Sequence, residues 1–167
     1  MKILQLSNLY PVPFNQRQGR AIHIPINILT KSACKIRVVC PVPYAPFPIK
    51  EFSPKWHNYS KVPFNMRVDN VMVYYPKILT FPKNLFYPLQ GYFMYFGIKK
   101  LVYKLHNKFP FDLIHAHMAF PDGYAGMLLS KKFCVPLVVT ARGTDVDITA
   151  LRSRMSFTLL HTALKGA

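Results

Sequence analysis

The chain has 167 residues, of which 51% are hydrophobic and 17% are charged. This apolar content suffices for a packed core and excludes an intrinsically disordered chain. The 15 prolines argue against a plain helical bundle, because an interior proline breaks a helix. Lys and Arg number 22 against 6 Asp and Glu, and the net charge of +16 indicates an anionic partner or a surface that tolerates positive charge.

Cysteine usage and hydropathy bear on the cellular location. Cys34, Cys40 and Cys134 lie far apart, and three cysteines make a poor disulfide framework. We therefore expect reduced thiols in a cytoplasmic protein. The aromatic stretch at residues 85–98 is too short to span a bilayer, which takes about 20 apolar residues.

The predicted elements alternate between strands and helices along the chain. Apolar runs predict strands at residues 2–6, 35–40, 71–75, 113–116 and 136–140. Helical spacing predicts helices at residues 24–32, 89–107, 124–133 and 148–164, the first beginning near Ile24 with Pro25 in its first turn. This order is typical of a doubly wound parallel sheet, so we predict a single Rossmann-like α/β domain with helices on both faces.

The helical spacing also predicts which side chains face the core. In the second long helix we expect Phe93, Phe96, Leu101 and Leu105 to point inward, and in the last helix Ile148, Leu151, Met155 and Leu159. A proline-rich insert at residues 41–63 separates the second strand from the third, and its composition excludes a regular helix or a central strand.

A row of lysines marks the second long helix. Lys100, Lys104 and Lys108 are spaced by four and should line one helix face. This face is either solvated or, since aromatic residues precede it, in contact with an anionic membrane surface. The sequence shows no helix-turn-helix, zinc finger or RNP motif, so nucleic acid is not expected as a partner.

Three loops should form the functional site, because ligands of open parallel sheets bind beyond the carboxyl ends of the strands. These loops are residues 8–20, 117–123 and 140–147. Gly19 of the first loop would let the backbone approach a phosphate or would simply make a turn. The loop has no glycine-rich phosphate-binding motif.

The second loop follows two histidines. His115 and His117 are two apart at a strand end and should project to the same face. A zinc site needs at least three protein ligands, so we predict no metal site. The outer His117 is a candidate for substrate binding and His115 a deeper, structural residue; alternatively, both are satisfied polar groups at a strand end.

Charged residues and glycines complete the candidate site. Asp122 and Gly123 precede a helix and would form either its N-cap and turn or an anion site at its N-terminus. Arg142 follows a strand, Gly143 lets the chain turn, and the guanidinium would bind a phosphate or pair with Asp145. Asp145 has a further alternative role as a cap of the last helix.

Four segments occur in a recognisable order and cover most of the chain: KILQLSNLYPVP, RVVCPVPYAPFP, FDLIHAHMAFPDGYAG and PLVVTARGTD. Together they resemble the N-terminal, acceptor-side domain of a family 4 glycosyltransferase. The resemblance implies the GT-B architecture, two Rossmann-like domains that face each other across a cleft. It further implies retaining transfer of a sugar from a nucleotide-sugar to a glycan or lipid-linked acceptor. No cofactor or essential metal is implied beyond the nucleotide-sugar co-substrate.

The resemblance also implies roles for individual residues. Gly19 would lie near the donor phosphates, and His117, Arg142, Gly143 and Asp145 would line the cleft. The first loop departs from the family pattern, since many members have two adjacent glycines where this chain has Gln18 and Gly19. No catalytic residue is assigned.

The resemblance bears on domain organisation as well. Family members bind the nucleotide-sugar with paired glutamates in a second domain, whereas the sole glutamate here is Glu51 in the insert. We therefore expect residues 1–167 to form the N-terminal domain of a C-terminally incomplete enzyme. It would be inactive without a C-terminal domain or a split partner chain, and it would lie in the cytoplasm, peripheral to the inner face of the cell membrane. The alternative is a non-catalytic basic module that binds an anionic membrane surface or a glycan.

Overall fold

The computed structural model describes residues 1–51, 53–80, 86–149 and 153–167. The strands of this part of the chain are β1 (Lys2–Leu6), β2 (Lys35–Val39), β3 (Val42–Pro43), β4 (Asn65–Val68), β5 (Val71–Tyr74), β6 (Lys77–Ile78), β7 (Leu113–Ala116) and β8 (Leu137–Val139). The α-helices are α1 (Arg20–Leu29), α2 (Pro54–Ser60), α3 (Gln90–Lys108), α4 (Tyr124–Phe133) and α5 (Arg154–Lys165).

The main sheet confirms the predicted fold class. Its strand order is β4-β5-β2-β1-β7-β8, and every neighbouring pair is parallel except the antiparallel pair β4 and β5. Along the chain, β2 and β5 are added on one side of β1, and β7 and β8 are then added on its other side. This reversal of strand order at β1 is typical of a Rossmann-like α/β fold. The sequence analysis missed β4, an edge strand, and the small parallel pair of β3 and β6.

Side chains alternate between the two covered faces of the sheet. Ile3 and Val38 lie in one core with Ile22 and Ile26 of α1. Leu4 and other residues of the opposite face lie in a second core with α3, α4 and α5. Helices therefore cover both faces, as predicted, and the carboxyl ends of the parallel strands meet at one edge.

The first helix begins earlier than predicted. Gly19, at φ 63°, turns the chain, and its carbonyl oxygen accepts hydrogen bonds from the backbone N–H groups of Ile22 and His23 at 2.9 and 3.0 Å. Pro25 therefore lies inside α1 and not in its first turn. The proline is exposed. The cost is one backbone hydrogen bond, which a proline nitrogen cannot donate.

The insert is more regular than predicted. Within it, α2 spans Pro54–Ser60, which contradicts the exclusion of a helix there. Pro54 occupies the first helical position, where a backbone N–H has no helical partner anyway. The Ser53 hydroxyl caps this end by accepting a hydrogen bond from the Lys55 backbone N–H at 3.3 Å.

The predicted inward faces of two helices are only partly correct: Leu101 and Leu159 pack against the core as expected, whereas other members of each set do not. In α3 the buried aliphatic side chains are Met94, Ile98, Val102 and Leu105, so Leu105 was correct, whereas Phe96 is 57% exposed. The last helix begins at Arg154 and buries Ser156, Leu160 and Ala163. Ile148 and Met155 are exposed, and Leu151 lies outside the described residues.

The surface of α3 matches one expectation. Lys100, Lys104 and Lys108 are all exposed on this helix. Among the described residues, no helix combines the length and the apolarity that a membrane crossing requires.

Candidate functional site

Two of the predicted site residues meet where β7 and β8 end. Arg142 Nη2 lies 3.4 Å from His117 Nδ1, although the two residues are 25 positions apart. His117 Nε2 lies 2.7 Å from Gln5 Oε1 of β1. The expected convergence of a histidine and an arginine at one edge of the sheet is confirmed, and it extends to a glutamine that the sequence analysis did not select.

His117 is a neutral hydrogen-bonding link. Burial, followed by the nearby His115 and Arg142, lowers the pKa of His117 to about 3. Because Gln5 Oε1 can only accept, His117 Nε2 carries the proton and donates it, which leaves Nδ1 to accept a hydrogen bond from Arg142. The imidazole therefore orients the guanidinium.

His117 is more buried than His115, which is the reverse of the prediction. His117 is 4% exposed because β1 and Arg142 cover it, whereas His115 is only half-buried. Their rings lie 4.3 Å apart, and His115 Nε2 lies 2.8 Å from Thr140 Oγ1. Burial and the Arg142 charge lower the pKa of His115, so both imidazoles are neutral near pH 7.

Asp145 links the loop after β8 to the loop after β7. Its carboxylate is buried and accepts hydrogen bonds from the backbone N–H groups of Arg142, at 2.8 Å, and of Ala119. It does not pair with the Arg142 side chain, and no carboxylate of the described residues lies within 4.0 Å of that guanidinium. Gly143, at φ 79°, turns the chain into the helical turn at Asp145–Thr149.

Asp122 makes a second link between loops. It is fully buried, and its two carboxyl oxygens lie 3.2 and 3.1 Å from the backbone nitrogen of Asn8. Burial, reinforced by the charge of Asp145, raises the pKa of Asp122 to about 8. Gly123 is the N-cap residue of α4, so Asp122 does not cap that helix. A direct ligand contact for Asp122, Gly123 or Asp145 stays a prediction, whereas their hydrogen bonds show how the loops are positioned.

Gly19 shapes the first loop. A Cβ atom there would overlap the Leu9 carbonyl oxygen and approach Tyr10 Cα to 2.7 Å. Glycine is therefore required where the first loop folds back on itself. Its neighbour Gln18 lines a cavity beside the first loop.

That cavity, which we call the amide pocket, has a volume of about 560 Å³. It lies between the first loop, the insert and the start of α3. Its polar lining consists of Asn8, Asn15, Gln18, Lys55, Thr80 and Gln90. The aromatic rings of Phe14 and Tyr59 form another part of the wall, in edge-to-face contact at 5.0 Å.

Two polar atoms of residues that line the amide pocket have no hydrogen-bond partner among the described residues. Asn8 Oδ1 and Thr80 Oγ1 are both buried and without a hydrogen bond. A buried polar atom without a partner is costly, and a hydroxylated ligand would satisfy both. Sequence reasoning missed this pocket, although the Asn and Gln residues that follow β1 were a usable signal.

A family model matches most of the chain. The sequence model described as Glycosyltransferase Family 4 matches residues 27–165. The chain belongs to glycosyltransferase family 4. The family resemblance predicted from the four sequence segments is thereby confirmed.

A curated protein named as a glycosyltransferase matches this chain over its whole length. TuaC of Bacillus subtilis (strain 168), which bears the name of a teichuronic acid biosynthesis glycosyltransferase, is 27% identical over 167 residues. The match covers 100% of this family 4 chain and 42% of TuaC. The chain thus spans about two fifths of the length of this relative.

Solved structures show the same fold. Sucrose-phosphate synthase from Thermosynechococcus elongatus matches with a TM-score of 0.62 at 12% identity, over 98% of this chain and 40% of that one. A Listeria monocytogenes protein described as a UDP-N-acetylglucosamine 2-epimerase matches with a TM-score of 0.52 at 14% identity, over 97% and 37%. Because proteins named as a synthase and as an epimerase both share the fold, the assignment to family 4 rests on the sequence match.

Proposed function

We propose that this family 4 chain is the acceptor-side part of a retaining glycosyltransferase, which moves a sugar from a nucleotide-sugar to a glycan or lipid-linked acceptor. One observation carries the proposal. The amide pocket and Arg142 lie at the same edge of the sheet, and hydrogen bonds from Asn8 N–H to Asp122 and from the Ala119 and Arg142 N–H groups to Asp145 link their loops. A pocket lined mainly by uncharged groups and an exposed guanidinium on the same edge suit a sugar acceptor and a phosphorylated donor.

The amide pocket has the chemistry of a sugar site. Side-chain amides offer both donors and acceptors to hydroxyl groups, and aromatic rings pack against the apolar faces of sugar rings. Lys55 is the single formal charge on the described lining and is exposed, so most of the lining consists of uncharged polar and apolar groups, which suit a neutral sugar. We assign the terminal sugar of the acceptor to this pocket.

The cationic part of the edge suits a phosphate. Arg142 is exposed, and its hydrogen bond to neutral His117 uses one nitrogen of the guanidinium. The other N–H groups face solvent and can bind phosphate oxygens in a bidentate manner. Asp145 fixes the Arg142 backbone, so the arginine is positioned before a ligand arrives.

Transfer by the isolated chain is not expected. The chain covers 42% of TuaC, and the family resemblance places the nucleotide-sugar mainly in a second domain. We therefore propose that a donor-binding domain, on the same or another polypeptide, completes the enzyme. In a turnover assay with nucleotide-sugars, the isolated chain should release no more nucleotide than a blank without protein; clear release would contradict this.

Acceptor binding can be tested on the chain alone. Saturation-transfer NMR with a panel of neutral disaccharides should detect binding, and Asn8→Ala should abolish it, because this change removes the unpartnered Oδ1 but keeps the backbone link to Asp122. Asn107→Ala, at an exposed position on α3, is the matched control and should bind normally. The proposal fails if no disaccharide binds or if both variants lose binding equally.

A specific observation also favours a second function, binding to an anionic membrane surface. Phe96 and Tyr103 of α3 are 57% and 40% exposed, and Lys99 Nζ lies 4.5 Å from the Phe96 ring centroid. An exposed helix face that combines aromatic and basic residues binds at the interface of an anionic bilayer.

Sedimentation with phosphatidylglycerol vesicles tests this second function. Binding should weaken as salt rises, because the attraction is electrostatic. It should also weaken in the Lys100→Gln/Lys104→Gln variant. The matched control, Lys131→Gln/Lys132→Gln, removes two exposed charges from α4. Salt-independent binding, or equal loss in both variants, would exclude the α3 face as the contact.

A further inference from the structure

A basic recess lies at the amino-terminal edge of the sheet, opposite the edge that carries the candidate site. It has a volume of about 440 Å³. Four cationic residues line it: Lys2 of β1, Lys35 and Arg37 of β2, and Lys108 at the end of α3. Along β1, the four residue steps from Lys2 to Leu6 correspond to about 13 Å, so a ligand here would not occupy the transfer cleft.

Strand pairing brings three of these cations together. Lys2 is the register partner of Lys35, and Leu4 is the partner of Arg37. Because side chains alternate along a strand, Lys2, Lys35 and Arg37 share one face of the sheet. Like charges on neighbouring strands destabilise a sheet unless something compensates them.

No carboxylate forms an ion pair with these side chains in the described part of the chain. The ion pairs there are His23 with Asp69 and Lys50 with Glu51. Asp112 is next to the recess, and its Oδ2 accepts a hydrogen bond from the Lys2 backbone N–H at 2.7 Å. Its carboxylate does not pair with any of the four cationic side chains.

An aromatic ring holds two of the cations in place. The Arg37 guanidinium carbon lies 5.3 Å from the ring centroid of Phe109, and Lys2 Nζ lies 5.9 Å from the same centroid. Phe109 is buried and follows α3 directly. Cation–π contacts of this kind orient charged groups without neutralising them. The recess is therefore organised and retains its positive charge.

We propose that this basic recess binds a phosphate-bearing anion, in a second site that is separate from the sugar-transfer edge. A phosphate or pyrophosphate has several charged oxygens and can bind multiple cations at once, whereas a carboxylate has only two oxygens. The phosphate belongs either to a soluble phosphoryl compound or to a lipid headgroup. In both cases the site holds a phosphorylated molecule without competition from ligands in the cleft.

Titration with inorganic pyrophosphate tests the site. The calorimetric titration is carried out with the 167-residue chain carrying Arg142→Gln, so that the other edge does not contribute. Adding Lys35→Gln and Arg37→Gln should weaken binding at least tenfold. The matched control, Lys131→Gln/Lys132→Gln, should weaken it less than twofold. Equal affinities in the two variants, or no binding before these changes, would overturn the proposal.

Cysteine protection provides a test that needs no variant. Cys34 lines the basic recess and is half-buried, whereas Cys134 is exposed elsewhere and serves as the internal reference. Pyrophosphate should slow alkylation of Cys34 by neutral iodoacetamide at least threefold and leave Cys134 unchanged. Equal rates at Cys34 with and without pyrophosphate would overturn the proposal even if a charge variant failed to fold.

Vesicles then identify the source of the phosphate. If phosphatidylglycerol vesicles lose binding with Lys35→Gln/Arg37→Gln but not with the control variant, the ligand is a lipid headgroup. If vesicle binding is unchanged while pyrophosphate binding falls, the ligand is a soluble phosphoryl compound. Either outcome supports the site, and both are independent of whether disaccharides bind the amide pocket.

Discussion

Replacing Asp122 with asparagine should change how the stability of the protein depends on pH. The carboxyl group is fully buried, and burial raises its pKa from 3.8 to about 8, although the hydrogen bond from the Asn8 backbone N–H opposes the rise. In the unfolded chain the same group loses its proton near pH 4. Folding therefore favours the protonated form, and the free energy of unfolding falls as pH rises from about 4 to about 8.

The size of this effect follows from linkage. One pH unit of difference between the folded and unfolded pKa corresponds to about 1.4 kcal/mol. Between pH 5 and pH 8, Asp122 should therefore cost the wild-type protein about 4 kcal/mol of its free energy of unfolding. Asparagine keeps an acceptor for the Asn8 N–H and cannot ionise, so Asp122→Asn should remove this loss.

Urea unfolding at pH 5, 6.5 and 8 measures the difference directly. The variant should gain stability relative to the wild type at each step toward alkaline pH, by about 4 kcal/mol in all. Asp147→Asn is the control, because it makes the same Asp-to-Asn change at an exposed position. A difference between wild type and Asp122→Asn that stays constant with pH would refute the reasoning.

Three further predictions concern the loops around the site. Gly19→Ala should destabilise the fold by about 1–3 kcal/mol in thermal unfolding, because φ is 63° and the new Cβ would overlap the Leu9 carbonyl; an unchanged Tm would contradict this. Tyr75→Phe should cost about 1–2 kcal/mol in urea unfolding, since the buried hydroxyl donates to the Pro11 carbonyl at 2.5 Å, and a neutral result would mean that another donor replaces it. The pKa of His117 is lowered to about 3, below the 6.5 of an ordinary histidine, so its contribution to stability should be lost as pH falls from 6.5 toward 3. His117→Gln should flatten this acid limb in pH-dependent unfolding, and an unaltered limb would show that His117 does not cause it.

The sequence predicts the central strands well because they are buried on both faces. Residues Lys2–Leu6 and Val71–Tyr74, for example, lie inside the sheet and form short apolar runs that a covered sheet accommodates. The edge strand Asn65–Val68 escaped prediction because it has only four residues, so its alternation of exposed Asn65 and Arg67 with the more buried Met66 and Val68 is a weak signal. Its strand character depends on antiparallel pairing with β5, which no local pattern shows.

The inward face of α3 was harder to predict for a different reason. Aromatic and aliphatic residues occur on nearly every side of residues 91–98, so helical spacing alone did not distinguish Phe96 from Met94. The structure selects Met94 and Ile98 because they face the main sheet, and Gly97 lets α3 approach Ile78 closely. Tertiary packing therefore determines which residues of α3 face the core, which helical periodicity alone did not determine.

The candidate site was predictable where strand ends determine it. His117 and Arg142 meet because β7 and β8 are neighbours and their carboxyl ends adjoin. For the amide pocket the sequence indicated only that the first loop contributes, because Asn15, Gln18 and Tyr59 come from a loop and an insert whose paths have no periodic signal. Its unpartnered oxygen on Asn8 is visible only once those segments are placed in space.

The two buried carboxyl groups accept hydrogen bonds from main-chain N–H groups. Asp122 accepts from Asn8, and Asp145 accepts from Arg142 and Ala119. Every amino acid except proline supplies such a group. Side chains at positions 8 and 142 are thus free to diversify while the loops keep their shape, and new ligand preferences can arise by single substitutions without rebuilding the scaffold. Proline is the one residue that could not make these hydrogen bonds at position 8 or 142.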